Sequence, residues 1–225
     1  MSSRQQGLSA PLMPMAAPSV PLTLVFVPAV FQNAAETFDE TYRFVGPAVR
    51  AGEWAPPAAQ PVLLVSLGTA FTDRPDVFRA CAQAFAATEW HVVMSLGRTD
   101  PTLLGGPPPN VEALPSVPQQ AVLGHATAFV THAGMNSIME ALSRAVPLMT
   151  LPQMPEQALN ARRVRELGLG EVLDSEVRTP ELVRETVLRV AGNAGVHDRL
   201  ARLAEEITAA GGAAAAADAV LGLLG

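Results

Sequence analysis

Apolar residues follow two rhythms along this chain. Nearly unbroken apolar runs stand at Val62–Ser66, His91–Leu96, Phe129–Thr131 and Val146–Leu151. Strands that read apolar without alternation are covered on both faces, which is the habit of parallel sheets. Between and after these runs the spacing changes to three and four residues, predicting helices over Asp76–Thr88, Gly134–Arg144, Glu156–Leu167, Glu181–Val190 and Arg199–Ala210. Shorter segments complete the series: strands at Leu22–Val27, Asn110–Leu114 and Glu171–Leu173, and a short helix at Gln119–His125. Strands alternating with helices at this spacing predict an α/β domain with a doubly wound, Rossmann-like parallel sheet.

The pattern begins in earnest near Pro61. Residues 1–21 hold one arginine and several prolines among Ser and Ala, which interrupt any signal-like apolar core, so they read as a disordered lead-in. Residues 22–60 contain the first strand, a mixed segment Phe38–Val45 ending at Gly46-Pro47, and an Ala/Pro linker that carries Trp54. Residues 61–225 form the main domain, closed by the Ala-rich stretch Gly211–Gly225 as a helix or helix end.

Composition narrows the function. Hydrophobic residues are 49% of the 225 and charged residues 16%, and no apolar run is long enough to span a bilayer. Fifteen Lys+Arg, all arginine, against 21 Asp+Glu leave a net charge of −6, so neither nucleic acid nor an anionic membrane finds a basic footprint. One cysteine, Cys81, forms no internal disulfide, and with four scattered histidines it offers no metal-ligand spacing. A reducing, cytoplasmic compartment is expected, and Cys81 itself reads as helix packing.

In doubly wound sheets, ligands bind beyond the carboxyl ends of the strands. After the first strand of the domain comes Ser66-Leu67-Gly68-Thr69, where hydroxyls and a glycine let a phosphate approach the backbone. After Phe129–Thr131 comes His132-Ala133-Gly134-Met135-Asn136-Ser137, then Glu140. Gly134 permits close approach, the free amides of a helix start suit an anion, and His132 can donate to a phosphate oxygen. On this helix Ile138, Ala141, Leu142 and Ala145 share one face, leaving Asn136 and Glu140 on the polar one. A third strand end leads into Glu156-Gln157, two adjacent side chains able to bond the hydroxyls of a sugar. Arg98, after the second strand, is a further candidate to face a diphosphate. Arg162, Arg163 and Arg165 read as a solvated helix face.

The stretch His132–Glu140, the Val117-Pro118-Gln119 turn before it and Glu156-Gln157 after it resemble the donor-binding motif of inverting nucleoside-diphosphate-sugar glycosyltransferases of the GT-B fold, bacterial macrolide glycosyltransferases in particular. Phe26–Gln32 and Tyr42–Pro47 are also similar to the segment leading into that family's C-terminal domain, so the resemblance covers about residues 22–225. It implies that residues 61–225 are the C-terminal, donor-binding half of a GT-B fold and that 22–60 are a remnant of the N-terminal domain with the interdomain linker. It also implies a set of roles. Ser66, Thr69, His132, Gly134, Asn136 and Ser137 hold the diphosphate; the Val117 backbone pairs with the base edge; Gln119 and Glu140 take the ribose; Glu156 and Gln157 read the donor sugar. The co-substrate is a UDP- or dTDP-hexose, with no metal and no further cofactor.

Two departures qualify this resemblance. The family places a Trp before its Val-Pro-Gln turn, as a stacking platform for the base, and Ser116 stands there instead; Phe71 or Trp54 would have to supply the missing ring. The family's catalytic base is a histidine early in the N-terminal domain, whereas His91, His125, His132 and His197 all lie in the donor half. No catalytic residue is therefore assigned. The expectation is a nucleotide-sugar-binding domain of a macrolide-type transferase, inactive alone. The alternatives are a subunit of a split enzyme whose acceptor-binding domain comes from another chain, or a 2-epimerase-like protein, against which length argues.

Overall fold

A computed structural model describes residues 20–50, 52–68, 74–173 and 179–224. Two short strands come first, β1 (Thr23–Val25) and β2 (Tyr42–Phe44), paired parallel with each other. Then follow β3 (Val62–Ser66), α1 (Pro75–Ala84), β4 (His91–Ser95), β5 (Val111–Leu114), α2 (Gln119–Leu123), β6 (Ala128–Thr131) and α3 (Met135–Leu142). The chain continues through β7 (Leu148–Thr150), α4 (Pro155–Glu166), β8 (Gly170–Val172), α5 (Pro180–Ala191), α6 (Ala194–Ala209) and α7 (Gly212–Leu221). Among the described residues β3–β8 form one parallel sheet in the order β5-β4-β3-β6-β7-β8.

The apolar runs are strands because both of their faces are covered. Leu63 and Val65 of β3, with Val92, Met94 and Val130, pack with Phe78 and Cys81 of α1 and Val183 and Val187 of α5. Their alternates Val62 and Leu64, with Val93, Phe129 and Leu148, pack on the other side with Ile138 and Leu142 of α3, Val164 of α4 and Leu200 of α6. Two cores thus sandwich one sheet, as the unbroken apolar pattern requires. Cys81 is fully buried, and that burial pushes its thiol pKa up to about 12, so it is packing, as the sequence predicts.

Strand order sets the position of the site. The chain leaves β3 toward β4 on one side and returns to its other side as β6, so the sheet's direction of travel reverses between β3 and β6. Loops leaving the carboxyl ends of these two strands run apart and leave a crevice between them.

Three sequence expectations change. Helix α6 begins at Ala194 rather than near Arg199, because the Asn193 side chain caps it by accepting from the Val196 amide at 3.2 Å. Arg163 is not simply solvated: it donates from Nη2 to the Val30 carbonyl at 2.7 Å and from Nε to the Phe31 carbonyl at 3.1 Å, tying α4 to the segment after β1. Phe38–Val45, expected only as mixed, supplies β2. Most of the expected lead-in, Thr69 and Phe71 lie outside the described residues. Among the described residues no helix is long and apolar enough to cross a membrane.

Candidate functional site

A cleft of about 610 Å³ opens at the carboxyl ends of β3, β4 and β6. Ser66 and Gly68 line it from the end of β3, and His132, Gly134, Asn136, Ser137 and Glu140 from the end of β6 and from α3. Ser116, Val117 and Gln119 line it from the turn into α2, and Glu156 from the first turn of α4. The structure therefore gathers ten of the predicted residues around one space. Thr69 is not described, and Gln157 does not line the cleft. Ser95 and Met135, which the sequence did not single out, do. Ser95 was legible in principle, since it ends β4 as Ser66 ends β3.

The β6–α3 junction is built tightly. Ala133, fully buried, adopts a left-handed φ of 67°, a strained state for a residue with a Cβ. Asn160 of α4, itself buried, holds it there by donating to the Ala133 carbonyl at 3.1 Å. The kink turns His132 over two glycines. A Cβ at Gly68 would stand 2.7 Å from the ring's Cε1 and Nε2, and one at Gly134 would stand 2.5 Å from Nε2. Both positions must lack a side chain for the ring to lie where it does, and Gly68, at φ 81°, also needs glycine for its backbone.

Gly134 precedes α3 without offering a capping side chain, so the first turn of the helix, whose Met135, Asn136 and Ser137 line the cleft, has no side-chain cap. Burial lowers the His132 pKa, against the opposing pull of the Ser66 carbonyl and the Glu156 charge, which favours the neutral ring. Although the Ser66 carbonyl attracts the ring's proton, Nδ1 is buried with no hydrogen-bond partner of good geometry. Among the described lining residues His132 alone can carry a positive charge, so an anion here is met by amides and a helix dipole.

Two carboxylates also line the cleft: Glu156, whose charge reaches His132, and Glu140, one turn beyond Asn136 on α3. Glu140 accepts from Gln119 Nε2 at 2.7 Å through Oε2 and from Gln120 Nε2 at 2.9 Å through Oε1. Gln119 also donates to Ser137 Oγ at 3.3 Å. Each carboxylate oxygen retains lone-pair capacity, so two vicinal hydroxyls can donate there. Glu156 is exposed at the N-terminus of α4, whereas Gln157 is buried and its Oε1 accepts from the Gln153 amide at 2.8 Å. Gln153 Nε2 is buried without a partner. Arg98 is exposed and does not line the cleft.

The aromatic platform is not supplied by Trp54. Its indole stacks on His91, centroids 6.2 Å apart, and meets His125 edge-on at 5.7 Å. His91 opens β4, a full strand length from the Ser95 end that faces the cleft. Trp54 anchors the linker at the far end of the sheet, and Ser116 stands exposed in the turn. Among the described residues no group of three or more His, Cys, Asp or Glu is placed to hold a metal ion.

The sequence profile of the family described as UDP-glucoronosyl and UDP-glucosyl transferase matches residues 53–203, more than half of the chain. The chain belongs to this family. An NDP-glycosyltransferase, YjiC, of Bacillus licheniformis is 42% identical over 207 residues, covering 88% of this chain and 52% of that protein. The oleandomycin glycosyltransferase of Streptomyces antibioticus is 40% identical over 208 residues, covering 89% of this chain and 48% of its own. Among solved structures, the calicheamicin glycosyltransferase CalG4 superposes with a TM-score of 0.85 at 49% identity, over 91% of this chain and 54% of that one. The sheet is thus that of a GT-B glycosyltransferase. The chain spans about half the length of the relatives it matches.

Proposed function

We infer that this chain is the C-terminal, donor-binding half of an inverting glycosyltransferase, and that its cleft holds a UDP- or dTDP-hexose destined for a hydroxyl of a macrolide or similar small natural product. The observation that carries this reading is the cleft at the strand-order reversal, lined by an uncapped helix start with His132 and, one turn beyond Asn136 on α3, by the Glu140 carboxylate. A diphosphate fits the first and a ribose the second. Relatives named for oleandomycin and calicheamicin support the acceptor class.

In this reading His132 and the amides of Asn136 and Ser137 hold the diphosphate in the ground state and stabilise the charge that grows on it as it departs. Gln119 lies beside the ribose, the Val117 backbone meets the base edge, and Glu156 meets the sugar hydroxyls. Gln157, buried with its Oε1 on the Gln153 amide and outside the cleft lining, takes no sugar contact in this reading. A general base for the acceptor hydroxyl comes from outside this half. His91 and His125 pack against Trp54, and His197 Nε2 pairs with the Ala191 carbonyl at 2.7 Å. The acceptor domain, whether on a longer chain or on a separate one, supplies that base, and the half alone binds without turnover. The compartment we assign is the cytoplasm, where the buried thiol of Cys81 stays reduced.

Calorimetry with UDP, dTDP and their hexose esters, paired with a product assay on a macrolide, tests the reading. Binding without product supports it, and efficient transfer by the purified chain overturns the assignment as a donor half.

A further inference from the structure

The nucleoside end of the cleft is braced from outside. Gln120, the second residue of α2, is half-buried and does not line the cleft. Its Nε2 donates to Glu140 Oε1 at 2.9 Å, and its Oε1 accepts from the Arg50 backbone N–H at 2.6 Å. Arg50 lies on the segment that leaves Gly46-Pro47, and Pro47 and Ala48 wall a second cleft, of about 240 Å³, into which Glu140 also reaches. One carboxamide is therefore bonded at both ends, to the main chain of the connecting segment and to the carboxylate on α3.

The geometry points to Gln120 as a positioning residue for nucleoside recognition, setting the rotamer of Glu140 and making that setting depend on where residues 46–50 lie. This rests on the nucleoside-diphosphate reading of the cleft. The carboxamide has one orientation that works. Reversing it would set NH2 against the Arg50 N–H and oxygen against the Glu140 carboxylate. With Gln119 on one oxygen and Gln120 on the other, the carboxylate is fixed before any ligand arrives, and the ligand does not have to order it. Without Gln120, Oε1 loses its donor and that ordering falls to binding.

The test is calorimetry on the whole chain with three probes: UDP, its 2′-deoxy analogue and inorganic pyrophosphate. Gln120→Leu should raise the Kd for UDP about fivefold, narrow the preference for UDP over the 2′-deoxy analogue, and leave pyrophosphate within about twofold. Gln120→Glu still accepts from Arg50 but sets a second carboxylate beside Glu140, so its loss on UDP should be larger. In a Glu140→Gln background, Gln120→Leu should add nothing further. The proposal is overturned if Gln120→Leu binds all three probes as the native chain does. It is equally overturned if all three weaken together with a fall in Tm, or if the Glu140→Gln background leaves the effect intact. If the native chain itself favours UDP no more than pyrophosphate, the reading of the cleft fails first and leaves Gln120 no nucleoside to position.

Discussion

His132 lies where it does because two neighbours have no side chain and a third, Ala133, is bent into a left-handed turn. In the proposed reading His132 donates to the diphosphate, so His132→Ala should weaken UDP and pyrophosphate alike by about 1.5–3 kcal/mol, the range for a hydrogen bond to a charged group. Melting temperature should hardly move, since Nδ1 already lacks a partner. Gly134→Ala sets a methyl 2.5 Å from Nε2 and must displace the ring, so it should weaken both ligands too. In a His132→Ala background the same substitution should cost much less, which a double-mutant cycle reads directly. The ring also makes a pH prediction. Its folded pKa lies below the ordinary 6.5, so the unfolded chain takes up the proton first as pH falls. The stability from this neutral ring is complete above pH 6.5 and is lost as pH falls toward the lower folded value. His132→Asn should therefore flatten the dependence of Tm on pH below 6.5.

At the scale of elements, α3 is an eight-residue helix whose inner face was plain in the sequence and whose outer face was only half legible. Ile138, Ala141 and Leu142 are buried as their spacing predicts, because a period of three and four records packing. The bonds from Gln119 and Gln120 to Glu140 were not legible, since a contact between residues 21 and 20 positions apart, on two helices, leaves no local pattern. Asn160 belongs to the same class: nothing around it in α4 announces that it holds the Ala133 carbonyl of another loop. Asn160→Ala leaves that buried carbonyl without its donor and should cost about 1–3 kcal/mol by chemical denaturation, with a matching loss of diphosphate affinity. Thr179, which the sequence pattern did not single out, caps α5: its hydroxyl accepts from the Leu182 amide at 3.3 Å. Thr179→Ala should cost about 0.5–2 kcal/mol without touching binding.

Over the whole molecule, the order of the strands was legible only as a class. Unbroken apolar runs such as Val62–Ser66 announce a parallel sheet, but the placement of β3 between β4 and β6, and hence of the cleft, depends on long-range pairing. The candidate residues that line the cleft were legible because their chemistry sits at strand ends in a recognisable order. Gln157 sits apart from the cleft because its oxygen is spent on the Gln153 amide, a bond that no spacing rule announces. Which end of the sheet Trp54 reaches was not legible, because a linker residue can fold to either, and this one packs at the start of β4. Ser116 is exposed in the turn that the proposed reading sets beneath the base, so Ser116→Trp should tighten UDP more than pyrophosphate, by an amount comparable to the roughly 1–3 kcal/mol of base stacking on an aromatic.

The central claim is that one cleft divides its labour between a diphosphate end and a ribose end. Paired titrations of UDP and pyrophosphate into the native chain, His132→Ala and Glu140→Ala measure that division directly. One UDP should bind per native chain; His132→Ala should weaken both ligands, and Glu140→Ala should weaken UDP while sparing pyrophosphate. Absence of UDP binding to the folded native chain, or equal losses on both ligands from Glu140→Ala, would contradict the account.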